Sequence, residues 1–410
     1  MSTNITTEIL GEHPPLELIA ADLEVSTTWI RLGEGLVGFG EWRSTSVKGK
    51  NRFADARKWW HEQLATLKIQ NNVHGSGTGP ILFSSFSFDP SEESKLVIPE
   101  IIIGQRDGKS WITWVGDQRQ PEISLLADSD QSGTVIFESG GLSDNEWKIR
   151  VASAVEKIKK GELEKVVLAR DLIAHNSQTI STRNLIAFLT KNYPSTWVFL
   201  VSDLIGATPE LLVRLNKSLV TSRILAGTIR RSGDEVGDLA LAASLAKSSK
   251  DLEEHEYAVR SVADALSPYC SSTNVPESPF VLHLANVMHL ATDVTGVLND
   301  STNPVDIFLL IASLHPSAAV CGTPTKIANS VIDELEDMNR GRYAGPVGWI
   351  DSLGDGEIGI ALRSGQLSSD KKSMRIFSGC GIVAGSNPED ELAESQAKLS
   401  PMRTALEIRA

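Results

Sequence analysis

Residues 379–398 read GCGIVAGSNPEDELAESQAK, the pattern of a strand end, a glycine-containing turn and a helix start. Asn387 suits the N-cap and Pro388 the first helical position, where its missing N–H costs nothing. Gly379 and Gly381 let backbone N–H groups approach another group closely, such as an anion. We expect Pro401 to kink the helix or to end it.

This helix presents a charged face. Glu391, Glu394 and Lys398 stand at positions i, i+3 and i+7 and therefore share one side, while Leu392 and Leu399 lie about 100° around it. The pattern predicts a helix between a core and a polar cleft. Spacing alone is equally compatible with an exposed helix face that carries ordinary charge pairs.

The composition is that of a soluble globular protein, with 41% hydrophobic and 22% charged residues among 410. The formal net charge of -13 argues against a nucleic-acid or anionic-membrane partner. The three cysteines are widely spaced and form no metal-binding pattern, which favours a reducing compartment. Because the start resembles no secretory signal and no apolar run approaches the ~20 residues of a membrane span, we predict a cytoplasmic protein.

The chain divides into two portions by the kind of residue pattern it carries. Residues 1–135 are rich in predicted strands without a catalytic spacing, and we interpret them as a scaffold. Residues 127–132 resemble a linker because Asp and Ser dominate them. Residues 140–410 carry the chemically suggestive motifs. We expect the two portions to form one continuous structural domain.

Two candidate acid–base residues lie in apolar surroundings. Lys165 is in a β-branched run that predicts a strand, where a lysine is usually at an exposed end. In a closed pocket it would instead be a usable base. Glu210 is the sole acid between Gly206 and Leu212 and is either a turn residue facing water or a carboxyl with a raised pKa.

Three further residues have two interpretations each. Glu254 follows a helix start capped by Ser248 and either complements the helix dipole or binds Mg²⁺. His289 lies in a predicted strand, where a structural role is more common than a catalytic one. Arg363 follows a strand and is either a surface residue or a carboxylate clamp.

Taken in their order and at their separations, eight blocks make this sequence resemble the chorismate-utilising enzyme family, and within it the isochorismate synthases most closely. The match spans roughly residues 140 to 405, whereas the first third resembles the family loosely. The blocks are Glu164–Arg170, Thr208–Leu212, Ala226–Thr228, Glu254–His255, His289–Thr292, Leu314–Pro324, Arg340–Gly345, and Gly379–Val383 with Glu391, Glu394 and Lys398.

The resemblance implies an α/β fold of the α+β type, with stacked, mostly antiparallel sheets, helices outside and a central cleft. It implies a Mg²⁺-dependent isomerase that interconverts chorismate and isochorismate, in which water attacks C2 and the C4 hydroxyl leaves. Chorismate is then the small-molecule substrate and Mg²⁺ the cofactor. Since the family is commonly monomeric, we expect a monomer.

The resemblance also assigns roles. Lys165 matches the general base for water and Glu210 the general acid. Glu254 and Glu394 match the Mg²⁺ ligands, with Glu391 in support. The remaining matches bind substrate: Tyr343, Arg363, Gly379 and Gly381 at the pyruvyl carboxylate, Lys398 near the metal-bound carboxylate, and Gly227, Thr228, His289 and Ala319 along the pocket.

Within the family, Lys165 favours water over ammonia, Ala226 argues against aminodeoxychorismate synthases, and Ala319 favours release of isochorismate over onward lysis. The alternatives are a bifunctional salicylate synthase, an amidotransferase-coupled synthase and a non-catalytic protein that binds a chorismate-like ligand. Asn339 departs from the family pattern, which often has an acid there, and this leaves the orientation of the Tyr343 loop open. The sequence is compatible with menaquinone and with siderophore biosynthesis.

Overall fold

The computed structural model describes residues 2–20, 23–116, 124–125, 133–299 and 305–409. The predicted linker at residues 127–132 lies outside these ranges. Within them, the chain forms 25 β-strands, eight α-helices and two short 3₁₀ segments, Leu16–Leu18 and Ser267–Tyr269.

The strands, in chain order, are β1 (Thr3–Leu10), β2 (Ile19–Ala20), β3 (Val25–Arg31), β4 (Glu34–Phe39), β5 (Arg43–Val47), β6 (Leu67–Asn71), β7 (Ile81–Ser85), β8 (Ser94–Ile98), β9 (Ile101–Arg106), β10 (Lys109–Val115), β11 (Ser124–Leu125), β12 (Val135–Ser139), β13 (Lys165–Asn176), β14 (Trp197–Val201), β15 (Leu204–Thr208), β16 (Leu211–Asn216), β17 (Leu219–Arg230), β18 (Cys270–Asn274), β19 (Phe280–His283), β20 (Val287–Leu298), β21 (Gly322–Thr323), β22 (Pro346–Asp351), β23 (Gly356–Ile360), β24 (Ser364–Leu367) and β25 (Ser373–Ile382). The helices are α1 (Arg52–Ala65), α2 (Asp144–Lys159), α3 (Thr182–Asn192), α4 (Glu235–Leu245), α5 (Ser249–Leu266), α6 (Ile307–Leu314), α7 (Thr325–Leu335) and α8 (Pro388–Arg409).

Two large sheets organise the described part of the chain. The larger has the strand order β12-β13-β25-β24-β15-β14-β3-β4-β9-β10-β1-β6, with β21 paired to β13. The smaller has the order β18-β20-β17-β16-β23-β22-β7-β8-β5, with β19 paired to β20. Neighbouring strands are antiparallel except β1 and β6, which are parallel. Each sheet contains strands from both of the portions distinguished in the sequence.

The two sheets pack face to face through a layer of large apolar side chains. Trp29 and Phe199 of the larger sheet meet Phe83 and Trp349 of the smaller sheet in one buried cluster. Helices α3 and α8 contribute to a second cluster with the larger sheet, and α1, α5, α6 and α7 to a third cluster built mainly on the smaller sheet. The predicted α+β architecture of stacked antiparallel sheets with outer helices is therefore confirmed.

Helix α8 shows where the local pattern succeeds and where it fails. It begins at Pro388, and the Asn387 side chain accepts the Glu389 N–H at 2.9 Å, as the N-cap pattern predicts. The helix does not end near Pro401 but continues to Arg409. Beyond the proline, Met402 and Leu406 are buried in the cluster with the larger sheet, and this packing stabilises the last turns.

Candidate active site

A cleft of about 570 Å³, open at its mouth, lies where β13, β17, β20 and β25 meet helices α5 and α8. Ten of the residues that the sequence singled out line it: Glu210, Thr228, Glu254, His289, Ala319, Tyr343, Arg363, Gly379, Gly381 and Lys398. The other four lie beside the cleft. Lys165 and Gly227 contact Glu254, Glu394 is paired with Lys398, and Glu391 is paired with Lys250.

Lys165 is the first residue of β13 and its side chain is 0% exposed, so the exposed-strand-end interpretation is wrong. Its Nζ lies 3.3 Å from Glu254 Oε1 and donates to the Glu254 carbonyl oxygen at 3.4 Å. Gly381, on the neighbouring strand, makes room for this pair, since a Cβ there would lie 2.0 Å from Glu254 Oε1. The glycine requirement is therefore steric.

Gly227 orients the same carboxylate from the opposite side. It occupies a bulge in the pairing of β17 with β20, and its φ of +75° is a backbone conformation that favours glycine. Its N–H donates to Glu254 Oε2 at 3.2 Å. Lys165 and Gly227 together hold both Glu254 oxygens.

Glu210 directly precedes β16 and is 5% exposed, which contradicts the alternative of a turn acid facing water. Burial raises the pKa of its carboxyl to about 8, although Lys165, Arg363 and Lys398 each pull it down. Among the described residues, no hydrogen bond or ion pair to this carboxyl is found. It is therefore neutral at pH 7 and able to donate a proton.

Arg363, His289 and Thr228 form a hydrogen-bonded row along the cleft. Arg363 Nη2 donates to His289 Nε2 at 3.1 Å, so the ring proton is on Nδ1, which lies 3.1 Å from Thr228 Oγ1. Burial, Arg363 and Lys398 lower the pKa of His289 well below its usual value, so the ring is neutral. Because Thr228 Oγ1 accepts from His289, its own hydrogen is free to be donated into the cleft.

Tyr343, Gly379 and Lys398 shape the adjoining wall. The Tyr343 ring stacks on Phe377 with centroids 5.0 Å apart, and its hydroxyl would lie 3.2 Å from a Cβ on Gly379. Burial raises the pKa of Tyr343 to about 12, which keeps it a neutral donor. Lys398 Nζ donates to the Gly379 carbonyl at 3.1 Å and pairs with Glu394.

The carboxylates on α8 form a compact cluster at one end of the site. Possible ligand atoms of Cys380, Glu391 and Glu394 lie within 4.8 Å of one another in the described part of the chain. Burial and Glu394 raise the pKa of Glu391, which is 1% exposed, to about 7. Burial and nearby carboxylates also raise the pKa of the Cys380 thiol, which leaves the carboxylate oxygens as donors. Crowded carboxylate oxygens are the donor set that suits Mg²⁺.

Two charged residues in and beside the site were not assigned by the sequence analysis. Lys250, one helical turn before Glu254, forms an ion pair with Glu391 at 2.6 Å. Arg340 lines the cleft while it pairs with Glu336 and donates to the Val167 carbonyl at 2.8 Å. Arg340 belongs to a block of the family resemblance and Lys250 to the helix start capped by Ser248, but nothing local indicates which carboxylate each would meet.

Asn339 resolves the question about the Tyr343 loop. Its side-chain oxygen accepts the Gly341 N–H at 2.7 Å, and its carbonyl accepts from Arg375 Nη1 at 2.9 Å. The first contact is a turn that asparagine forms as readily as aspartate. The loop is therefore held without the negative charge that is common at this position.

Comparison with known proteins gives a consistent result. Residues 29–407 match the model of the family described as chorismate binding enzyme. Isochorismate synthase MenF of Bacillus subtilis is 31% identical over 94% of this chain and 87% of its own length. Isochorismate synthase DhbC of the same organism is 34% identical over 80% and 81%, respectively. The chain belongs to the chorismate-binding enzyme family, so the predicted family is confirmed.

Solved structures agree with this assignment. DhbC from Bacillus anthracis, at 32% identity, superposes with a TM-score of 0.77 over 94% of this chain and 97% of its own. MenF from Escherichia coli, at 23% identity, shares the fold with a TM-score of 0.80 over 99% and 95%. In the described residues, no helix combines the length and the apolar character needed to cross a membrane.

Proposed function

We propose that this chain is an isochorismate synthase, which adds water to C2 of chorismate and removes the hydroxyl at C4. The observation that carries the proposal is the buried, neutral Glu210 carboxyl, which lies in one cleft with the carboxylate partner of Lys165 and the Arg363–His289–Thr228 row. The isochorismate synthases among the relatives support this activity, because they match over most of their own length. They do not favour the salicylate synthase or the binding-protein alternative.

Glu210 is the proposed general acid. Hydroxide is a poor leaving group, so the C4 oxygen must receive a proton as it departs. A neutral carboxyl at pH 7 supplies that proton, and positioned proton transfer contributes roughly 10²–10⁴-fold to the rate. Because Glu210 has no ion-pair partner in the described residues, its proton is free for this transfer.

Lys165 is the proposed general base. Its side chain lies behind Glu254, and its Nζ is held by that carboxylate at 3.3 Å. To accept a proton from water, Lys165 must therefore be released by Glu254 and be in its amine form. Gly381 lines the cleft, and a Cβ there would lie 3.0 Å from Lys165 Cε, so the glycine lets the lysine side chain lie next to the cleft.

Glu254, Glu391 and Glu394 would hold the proposed Mg²⁺. When bound, this ion would supply Lewis-acid and template chemistry at the ring carboxylate of the substrate. Lys250 and Lys398 neutralise Glu391 and Glu394 in the structure described here. Arg363 and the Tyr343 hydroxyl are the proposed donors to the second substrate carboxylate, with Thr228 beside them.

Three further statements remain part of the proposal. We place the protein in the cytoplasm and expect it to act as a monomer. We favour a place in menaquinone biosynthesis over siderophore biosynthesis, and the match to isochorismate synthase MenF of Bacillus subtilis over 94% of this chain supports this choice.

The direct test is incubation with chorismate and Mg²⁺, with and without EDTA, followed by chromatography of the products. We expect isochorismate as the main product and its loss with EDTA. Salicylate and pyruvate as main products would support the salicylate synthase instead. Binding of chorismate without conversion would support the non-catalytic alternative.

Lys165→Ala tests the general base. We expect turnover to fall by about 10³-fold, because both the proton acceptor and its position are lost. Lys157→Ala is the matched control, since Lys157 pairs with Glu334 at the surface of the protein. Unchanged turnover in Lys165→Ala would show that another group accepts the proton.

A further inference from the structure

Pro401 interrupts the hydrogen bonding of α8 next to the site. In an α-helix the carbonyl of residue i accepts the N–H of residue i+4, and proline has no N–H. The Ala397 carbonyl is therefore left without its usual helical donor, although α8 continues from Pro388 to Arg409. Ala397 directly precedes Lys398 and follows Glu394 by three residues. The missing hydrogen bond therefore lies within the turns of α8 that carry these two site residues.

The side chain of Asn286 occupies the position of the missing donor. Its Nδ2 donates to the Ala397 carbonyl oxygen at 2.7 Å across 111 residues of sequence. The Asn286 carbonyl in turn accepts the Arg231 N–H at 3.1 Å, which ties its backbone to the end of β17. Asn286 is thus hydrogen-bonded through its backbone carbonyl to the residue after β17 and through its side-chain amide to α8.

This bond joins the two layers of the molecule at the cleft. Asn286 directly precedes β20, the strand of the smaller sheet that carries His289. Helix α8 packs on the larger sheet through Leu399 and Met402. The bond therefore links the turn of α8 that carries Glu394 and Lys398 to the strand that carries His289.

We propose that Asn286 is a positioning residue for the isochorismate synthase reaction, and that it acts by supplying to Ala397 the hydrogen bond that Pro401 withholds. This inference rests on the proposed function. Asn286 does not line the cleft, so its effect passes through α8 and not through contact with substrate. Pro401 keeps the Ala397 carbonyl available to Asn286, and the two residues therefore act as a pair.

The test is a double-mutant cycle of Asn286→Ala and Pro401→Ala, measured by kcat and KM for chorismate and by calorimetric titration with Mg²⁺. We expect Asn286→Ala to lower kcat about tenfold, the effect of one lost hydrogen bond to a buried carbonyl, with a smaller change in KM. Mg²⁺ affinity should weaken several-fold because α8 carries Glu391 and Glu394. Pro401→Ala alone should remain within about twofold of the wild type.

Restoration by the second substitution is the decisive result. In Asn286→Ala/Pro401→Ala the new N–H of residue 401 can reach the Ala397 carbonyl, so kcat and Mg²⁺ affinity should return to within about twofold of Pro401→Ala. Asn192→Ala is the matched control, because Asn192 donates to the Phe188 carbonyl at 2.8 Å on the exposed side of α3. It should leave kcat and Mg²⁺ affinity unchanged.

Each failure has a separate meaning. If the wild type converts chorismate and Asn286→Ala matches it, or if Pro401→Ala does not restore activity, the positioning role is wrong. If Asn286→Ala does not fold, the double variant decides: an active, folded double variant supports the pairing and an unfolded one overturns it. A wild type that does not convert chorismate overturns the proposed function itself.

Discussion

Two buried carboxylates on neighbouring strands of the smaller sheet have opposite electrostatic properties. Glu357 on β23 accepts the Trp29 indole N–H at 3.0 Å and pairs with Arg106 and Arg214 at 3.0 and 3.2 Å. Burial alone would raise its pKa, but these partners lower it overall. Glu210, just before β16, is also buried, and its pKa rises to about 8.

The difference lies in how nearby cations are used. Arg106 and Arg214 point at Glu357, whereas the cations around Glu210 are each directed to another group. Lys165 pairs with Glu254, Lys398 with Glu394, and Arg363 donates to His289. A buried carboxyl thus remains a proton donor because its positive neighbours have other partners.

The largest expected effect is that of Glu210→Gln on catalysis. We expect kcat to fall by about 10³-fold, because glutamine cannot donate an acidic proton. Urea unfolding at about pH 4, where the carboxyl is largely protonated in the unfolded chain as well, should change little, since a neutral amide then replaces a neutral acid of the same volume. A variant that retained more than a tenth of the wild-type kcat would exclude Glu210 as the general acid.

Glu357→Ala should show the reverse pattern. Removing the carboxylate leaves Arg106, Arg214 and two indole N–H groups without their partner, and we expect the free energy of unfolding to fall by about 3 kcal/mol. The kcat of the folded variant should remain within about twofold, because Glu357 does not line the cleft. Equilibrium urea unfolding and kcat, measured on the same preparation, check both parts. A loss of kcat without a loss of stability would contradict the comparison.

The pH dependence of kcat/KM should show the titration of Glu210. The general acid must be protonated, so kcat/KM should fall about tenfold for each pH unit above about pH 8. Measuring kcat/KM in Mg²⁺-saturated buffer from pH 6 to about pH 10 tests this decrease. A plateau that continued beyond pH 9 would place the acid elsewhere.

The two carboxylates should also change stability with pH in opposite directions. The pKa of Glu210 is raised in the folded state, so its contribution is present below the unfolded pKa and lost as pH rises toward about 8. The pKa of Glu357 is lowered, so its contribution is present above the unfolded pKa and lost as pH falls through the folded value. Titration of Glu210 should lower the free energy of unfolding of the wild type by on the order of 1 kcal/mol per pH unit between about pH 5 and pH 8, and Glu210→Gln should remove this contribution. Equal slopes in wild type and variant would show that Glu210 does not titrate in this range.

Local sequence patterns predicted the elements that carry the site. The N-caps at Ser248 and Asn387 depend on a few neighbouring residues, and both accept the backbone N–H groups that the patterns indicate. The strand that begins at Lys165 follows from its β-branched run. The family resemblance named ten residues that line one cleft, although they are far apart in the chain, and their roles stay predictions.

Pairwise partners could not be predicted in the same way. Lys250 meets Glu391 across 141 residues, and Lys165 meets Glu254 across 89. Both contacts depend on where α5, which packs on β17 and β20, lies relative to β13 and α8, and no local pattern encodes this. The same holds for Pro401: a helix end near it was one of two outcomes expected from the helix alone, and α8 continues because its last turns pack on the larger sheet.

The strand order has a consequence for how the protein is made. In the larger sheet β25 lies between β13 and β24, and β14 pairs with β3. Residues 165–176 therefore remain without one neighbour until residues 373–382 have left the ribosome. Sheets with such distant pairings fold slowly and expose strand edges meanwhile. We expect chaperone dependence and aggregation of nascent chains to be most pronounced in fragments that stop before residue 373.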